Sequence, residues 1–331
     1  MPVARAQQPA QPAPPPAPSS QQNSQPPAGA NDHYAIQKDV SLVVLHASVV
    51  NERGQFVSGL TEDTFHVFED KVEQKLSVFR QEDVPVSMGL VIDNSGSMKE
   101  KRPEVNAAAL TFVQTSNPQD EAFVVNFNDD YYLDTVHDFT NDISEMKDAL
   151  ERIDARGSTA LYDAVIGSLD HLKKGSKDKK VLLLVTDGVD NASRHTLERA
   201  VEEAQHSDAL IYAIGLFTDD DMRHNRSDMK KARKALEDLT AATGGLAFFP
   251  ETVDDTTAIC AQIAHDIRNQ YTIAYYPTNP ARDGTFRAVQ VTVAPPRGAG
   301  KLSVRTRSGY YAGRATAALT DPVAAPNLAG N

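Results

Sequence analysis

The feature that most constrains the fold is an apolar segment that stops abruptly at an aspartate. Residues 86–98 read VSMGLVIDNSGSM, in which the apolar stretch ends at Asp93 and a short polar loop follows. Such a run is typical of a buried strand in a parallel sheet, and a helix is expected after the loop. Asp93, Ser95 and Ser97 occupy alternate positions. A turn at Gly96 would bring their oxygens to one point, and such oxygens suit Mg²⁺, Ca²⁺ or Mn²⁺.

Two later segments strengthen this interpretation. Taken alone the pattern is weak, because Ser, Asp and Gly also mark ordinary loops and helix N-caps. Residues 156–163, RGSTALYD, place Thr159 in a loop ahead of an amphipathic helix. Residues 181–188, VLLLVTDG, form a second apolar strand that ends at Asp187. Both aspartates therefore fall at strand carboxyl ends, where ligands bind in open α/β sheets.

In this combination the sequence resembles the von Willebrand factor A (vWA) family. The metal-ion-dependent adhesion site of that family consists of D-x-S-x-S, a Thr and an Asp in that order. The resemblance implies that the hydroxyls of Ser95, Ser97 and Thr159 hold a divalent cation. Asp93 and Asp187 would act directly or through water. It further implies an open coordination position, which a partner protein fills with an Asp or Glu carboxylate.

Strands and helices alternate between residues 85 and 270, which predicts a doubly wound α/β domain with a mostly parallel sheet. Besides the two strands already described, we predict strands over residues 122–127, 131–139, 209–217 and 246–249. We predict helices over residues 104–114, 143–153, 161–172, 196–206, 229–242 and 256–267.

The segments on either side of this domain have strand patterns without helices. Three or four short strands cannot form a stable sheet face without a partner layer. We therefore expect residues 34–84 and 271–312 to pair as one antiparallel β-sandwich that carries the α/β domain as an insertion. The strands predicted for the sandwich are residues 40–50, 65–68, 76–79, 271–276, 286–293 and 302–306, with a polar turn at residues 69–71.

This arrangement is similar in architecture to integrin β subunits, in which a β-sandwich carries an inserted vWA domain. It more closely resembles the bacterial vWFA-related domain proteins. Two segments carry that resemblance, GLTEDTF at residues 59–65 and YTIAYYP at residues 271–277.

The two ends of the chain have a different composition. Residues 1–33 are rich in Pro, Gln and Ala, and residues 313–331 in Ala and Pro, so we predict a disordered tether and tail. The sequence ARA before Gln7 has the form of a signal-peptidase site, although no apolar stretch precedes it. We interpret it as the mark of a longer or trimmed precursor whose product is secreted, periplasmic or on the cell surface. A cytoplasmic protein with a Pro-rich tail is the alternative.

Composition excludes several classes of function. The net charge of -12 argues against nucleic-acid or anionic-membrane surfaces, which need clustered Lys and Arg. The single cysteine, Cys260, can form neither an internal disulfide nor a thiolate zinc site, and its apolar helical context predicts a buried, inert thiol. No stretch of about 20 apolar residues is present to span a membrane.

Other polar residues are expected on the same edge of the sheet as the metal site. A rim that contacts a partner and ordinary solvated loops are both open interpretations. A second cation at the three consecutive aspartates is a further alternative, although their spacing matches no EF-hand. The candidate rim residues are Asn94, Asp190, Asn191, Asp219, Asp220 and Asp221.

Our leading hypothesis is a cation-dependent, adhesion-like protein-binding module of undetermined oligomeric state. The alternative is a scaffold or assembly subunit of a surface or secretion complex, in which the metal is structural. A remote alternative is a phosphatase similar to the haloacid dehalogenases, but that chemistry needs D-x-D, and Ser95 stands where the second aspartate would be. The chain also has no G-x-S-x-G, P-loop or H-E-x-x-H motif, so we expect no enzymatic activity.

Overall fold

The fold combines a six-stranded, mostly parallel sheet with two four-stranded antiparallel sheets. The computed structural model describes residues 42–115, 117–152, 155–217, 223, 225–296 and 300–313. The predicted tether at residues 1–33 and almost all of the predicted tail lie outside the described residues. So do Asp219, Asp220 and Asp221.

Fourteen strands are described in this part of the chain. They are β1 (Val43–Asn51), β2 (Phe65–Glu69), β3 (Val72–Gln74), β4 (Leu76–Gln81), β5 (Val86–Asp93), β6 (Glu121–Phe127), β7 (Tyr131–Leu133), β8 (Lys179–Thr186), β9 (Ala209–Gly215), β10 (Ala247–Phe248), β11 (Tyr271–Tyr275), β12 (Phe286–Val293), β13 (Leu302–Arg305) and β14 (Gly309–Tyr311). The α-helices are α1 (Arg102–Gln114), α2 (Ile143–Glu151), α3 (Leu161–Leu172), α4 (Leu197–His206), α5 (Arg226–Thr243) and α6 (Thr256–Asn269).

The central sheet has the strand order β10-β9-β8-β5-β6-β7, and β7 alone runs antiparallel to its neighbour. Every residue of β5 is buried, which explains its continuous apolar sequence. Helices α1, α2 and α6 pack on one face of the sheet through one apolar cluster. Helices α3, α4 and α5 pack on the other face through a second cluster. The predicted doubly wound α/β class is confirmed.

The two antiparallel sheets have the orders β13-β1-β11-β4 and β14-β12-β2-β3. Each sheet combines strands that precede the α/β region with strands that follow it, since β1 pairs with β11 and β13, and β2 pairs with β12. Their inner faces share one apolar core, so they pack as a sandwich. The chain leaves this sandwich through β4 and returns through β11, and these two strands are paired neighbours.

The strands differ from the prediction at three places. The turn after β2 leads into β3, because Asp70 and Lys71 both adopt positive φ angles (46° and 69°) and close a tight hairpin. Strand β4 consequently joins the other sheet. The edge strand predicted over residues 131–139 ends at Leu133, because the Asp134 carboxylate turns inward to accept a hydrogen bond from Asn126 Nδ2 (2.8 Å). Strand β14 was not predicted.

A buried carboxylate connects helix α6 to the sandwich. Asp266 is 2% exposed and accepts hydrogen bonds from Ser48 Oγ of β1 (2.6 Å) and Tyr212 OH of β9 (2.8 Å). The Arg305 guanidinium of β13 donates to the same carboxylate (2.9 Å). Gln270 Nε2, just after α6, donates to Ser48 Oγ (3.0 Å). Four elements thus meet at one charged group.

Two further predictions concern the helices, one about membrane spans and one about the thiol of Cys260. In the part of the chain that the structure describes, no helix is both long and apolar enough to cross a membrane. Cys260 is buried in α6, and this burial raises the pKa of its thiol to about 12. The thiol therefore stays protonated and unreactive at neutral pH.

Candidate metal centre

The loop after β5 is held against the carboxyl edge of the sheet by Asp93. This residue is fully buried, and its Oδ1 accepts the backbone N–H of Ser95 (2.7 Å). Its Oδ2 accepts the hydroxyl of Thr186 at the end of β8 (2.5 Å). Asp93 therefore sets the course of its own loop and fastens that loop to the strand that ends just before Asp187.

Three of the predicted ligands form a continuous chain of oxygens. Ser97 Oγ donates to Asp187 Oδ1 (2.8 Å), and Ser95 Oγ lies 3.2 Å from Ser97 Oγ. The residues come from two loops that follow neighbouring parallel strands, β5 and β8. Parallel strands place their carboxyl ends at one sheet edge, which is why residues 90 positions apart in sequence meet there.

Thr159 reaches the same edge from the loop that precedes α3. It is 4% exposed, and its N–H donates to Asn191 Oδ1 (2.8 Å) while its carbonyl accepts the N–H of Asn191 (3.0 Å). A Cβ placed on Gly188 would lie 3.5 Å from Thr159 Oγ1. The threonine hydroxyl therefore lies beside the loop that carries Asp187.

At this edge of the sheet the backbone conformation favours a glycine at position 157, and this preference was not predicted. Gly96, expected to permit the turn, has no positive φ, and a Cβ there would meet only the Gly157 carbonyl at 3.8 Å. Gly157 has a φ of +79°, and a Cβ on it would lie 2.2 Å from a carboxylate oxygen of Asp129. The two loops are joined by the hydrogen bond from Gly96 N–H to Gly157 O (3.2 Å).

We predict that Gly157→Ala weakens cation binding at this edge, whereas Gly96→Ala does not. The alanine at position 157 must adopt an unfavourable backbone conformation and displace Asp129, which costs about 1–3 kcal/mol and shifts the Thr159 loop. Thermal unfolding with and without Mg²⁺ measures how much the cation raises the melting temperature of each variant. An equal rise for Gly157→Ala and Gly96→Ala would contradict the prediction.

Asp93 and Asp187 are both buried, and each has its own electrostatic environment. Burial raises the pKa of Asp93 to about 6, the negative charge of Asp187 acts in the same direction, and hydrogen bonds from Thr186 and Ser95 oppose the shift. The Asp187 side chain is 1% exposed and forms an ion pair with Lys101, whose Nζ lies 2.5 Å from Oδ2. The same Nζ donates to the Leu216 carbonyl (3.1 Å). Nothing in the local sequence pattern indicated this role for Lys101.

The donor chemistry at this edge fits a hard divalent cation. Hydroxyl and carboxylate oxygens are the ligands that Mg²⁺, Ca²⁺ and Mn²⁺ prefer. Within the described residues no group of three or more His, Cys, Asp or Glu side chains could hold a metal ion. A cation at this edge would therefore depend on the hydroxyls of Ser95, Ser97 and Thr159 as well as on carboxylates.

The candidate rim residues differ in their accessibility. Asn94 is fully buried, and neither polar atom of its amide has a hydrogen-bond partner among the described residues, so its side chain is not available to a partner protein in this conformation. Asp190 Oδ2 accepts the N–H of Tyr162 (3.0 Å) and the hydroxyl of Ser193 (2.5 Å), which anchors the start of α3. Asn191 is exposed and holds Thr159.

Comparison with known proteins finds one family that is similar to part of this region. Residues 88–189 match the family model described as the von Willebrand factor type A domain. That match begins in β5 and ends after Asp187, so it contains all five predicted metal ligands. Residues 88–189, within the α/β region, are therefore similar in sequence pattern to the vWA domain family. No curated protein matches the chain.

Several solved structures are also similar at low sequence identity. The vWF domain of the type V pili tip protein Mfa5 from Porphyromonas gingivalis is 14% identical, with 56% of this chain and 95% of that chain covered and a TM-score of 0.46. A von Willebrand factor type A structure from Catenulispora acidiphila is 14% identical, with 82% of this chain and 75% of that chain covered and a TM-score of 0.47. The PilB minor pilin from Streptococcus sanguinis is 13% identical, with 57% of this chain and 63% of that chain covered and a TM-score of 0.44.

Proposed function

We propose that the carboxyl edge of the central sheet is a divalent-cation-dependent site for binding a partner protein. The observation that carries the proposal is the chain of oxygens from Ser95 through Ser97 to Asp187, with contacts of 3.2 and 2.8 Å, beside the Thr159 loop. The vWA family match over the same residues supports it. The cation is Mg²⁺, or Ca²⁺ or Mn²⁺ in its place.

Each residue would have a separate task in this site. The hydroxyls of Ser95, Ser97 and Thr159 would ligate the cation, together with Asp187. Both oxygens of Asp93 already accept hydrogen bonds, so Asp93 would orient the Ser95 loop and contribute charge, directly or through water. The bound cation would offer an open coordination position to an Asp or Glu carboxylate of the partner. We propose no catalytic role for this site.

Thermal unfolding in EDTA, Mg²⁺, Ca²⁺ and Mn²⁺ tests whether the cation binds. We expect the melting temperature to rise with at least one cation, because a ligand that binds only the folded state stabilises it by about 2.7 kcal/mol at a hundredfold excess over Kd. Asp93→Ala should abolish the rise. Asp170→Ala is the control, because Asp170 is exposed on α3 and pairs with Lys173 across one helical turn. A flat response of the unaltered chain to every cation would contradict cation binding by the unaltered chain.

Capture of a partner tests the second part of the proposal. A carboxylate-bearing partner should be retained in Mg²⁺ and released by EDTA. If capture persists in EDTA, the scaffold alternative gains support, with contacts made by the sandwich instead of the cation. We propose a secreted, periplasmic or cell-surface location for either role, on the basis of the ARA sequence before Gln7. Fractionation of the native protein and mass analysis of its N-terminus would test this location.

A further inference from the structure

Lys101 supplies a positive charge at the carboxylate that would hold the cation. Its side chain is 12% exposed, and its Nζ lies 2.5 Å from Asp187 Oδ2. The other oxygen of this carboxylate accepts the Ser97 hydroxyl (2.8 Å). One oxygen of Asp187 therefore accepts the hydroxyl of Ser97, a proposed metal ligand, and the other oxygen pairs with the ammonium group of Lys101.

The next residue, Arg102, places a second positive charge behind the same loop. It is 8% exposed, and burial lowers its pKa to about 10 while the nearby negative charges of Asp93 and Asp134 oppose the shift. The guanidinium is fixed, because it donates to the Leu150 carbonyl (2.5 Å) and to Asn126 Oδ1 (3.3 Å). Two consecutive cations thus balance the charges of Asp93 and Asp187.

We infer that Lys101 competes with the divalent cation for Asp187 and must leave that carboxylate when the cation binds. This inference rests on the proposed function. An ammonium and a divalent cation on one nearly buried carboxylate repel each other strongly, because a protein interior screens charge poorly. Arg102 is held by the protein interior, whereas Lys101 has a flexible four-carbon stem and partial access to solvent. Lys101 is therefore the cation that can move.

Departure of Lys101 has an effect beyond the metal ligands. The same ammonium donates to the carbonyl of Leu216, which directly follows β9. When Lys101 leaves Asp187, this carbonyl loses its partner as well. Cation binding at the ends of β5 and β8 is in this way transmitted to the end of β9, on the same edge of the sheet.

Lys101→Met tests the inference with two readouts of opposite sign. In EDTA the variant should be less stable to denaturant than the unaltered chain, because a buried Asp187 carboxylate loses its ion pair. In calorimetry it should bind Mg²⁺ about tenfold more tightly, because no ammonium has to be displaced, and a tenfold change in Kd corresponds to about 1.4 kcal/mol. Lys99→Met is the matched control, since Lys99 is exposed two residues earlier, and it should change neither readout.

The outcomes separate this inference from the proposed function. If the unaltered chain and Lys101→Met bind Mg²⁺ equally, the inference is overturned and the metal site stands. If neither binds Mg²⁺, Ca²⁺ or Mn²⁺, both are overturned. If only the variant binds, the inference is supported and Lys101 keeps the site closed in the unaltered chain. Should Lys101→Met fail to fold, Lys101→Gln gives the same comparison, because it removes the charge but keeps a donor for Asp187.

Discussion

Asp266→Ala is expected to lower the free energy of unfolding by about 3–5 kcal/mol, the range measured when one partner of a buried ion pair is removed. Asp266 is 2% exposed and pairs with Arg305 of β13 (2.9 Å). Its loss would also leave the hydroxyls of Ser48 and Tyr212 without their acceptor inside the protein. The energetic cost is large because one carboxylate serves three donors from three different strands.

Denaturant unfolding in EDTA measures this loss without any contribution from a cation. Asp238→Ala is the control, because Asp238 pairs with Lys234 one turn away on the exposed face of α5. Exposed pairs of this kind contribute about 0.3–0.5 kcal/mol. A loss below about 1 kcal/mol for Asp266→Ala would mean that the sandwich does not depend on this carboxylate.

Gly245→Ala is expected to destabilise the fold by about 3 kcal/mol, at the upper end of the usual cost of overpacking. A Cβ on Gly245 would lie 1.9 Å from the carbonyl oxygen of Ile211. Ile211 belongs to β9, which is paired on both sides in the central sheet, so its backbone cannot retreat. The strain must therefore separate α5 and the start of β10 from the sheet.

Gly96→Ala is the matched control for this substitution. It makes the same chemical change in a loop, but the nearest heavy atom to the new methyl group would be 3.8 Å away. We expect Gly96→Ala to change the free energy of unfolding by about 0.5 kcal/mol or less in EDTA. If both glycine variants unfold at the same denaturant concentration, the close approach of Gly245 to β9 is not a constraint on the fold.

Much of the fold could be predicted because its signals are local. The continuous apolar run of β5 indicates a strand that is buried on both faces, and the apolar periodicity of α3 indicates a helix that is buried on one face. The structure has both elements at the predicted positions. The order of the site segments also follows from local sequence, since Asp93 and Asp187 each end an apolar strand. Parallel pairing of β5 and β8 then brings the two aspartates to one edge.

What the sequence analysis missed depends on residues that are distant in the chain. Lys101 meets Asp187 across 86 positions, and only the tertiary fold shows that this lysine faces a buried carboxylate. Gly157 is favoured because its φ is +79° and the carboxylate of Asp129 lies against it, and no local pattern reports either feature. The turn after β2 lies within the predicted residues 69–71, but β3, the three-residue strand to which it leads, was too short to be predicted.

The position of the α/β region between β4 and β11 has a consequence for folding. Gln81 of β4 donates to the carbonyl of Asn269, just before β11, although the two residues are 188 positions apart. Closing an unfolded loop of that length would cost several kcal/mol of chain entropy, about (3/2)RT ln n plus a constant. Once the α/β region has folded, its two ends are already adjacent and most of that cost is gone. The stability of the sandwich is therefore conditional on the folded state of the domain it carries, and unfolding of the α/β region would release the sandwich strands too.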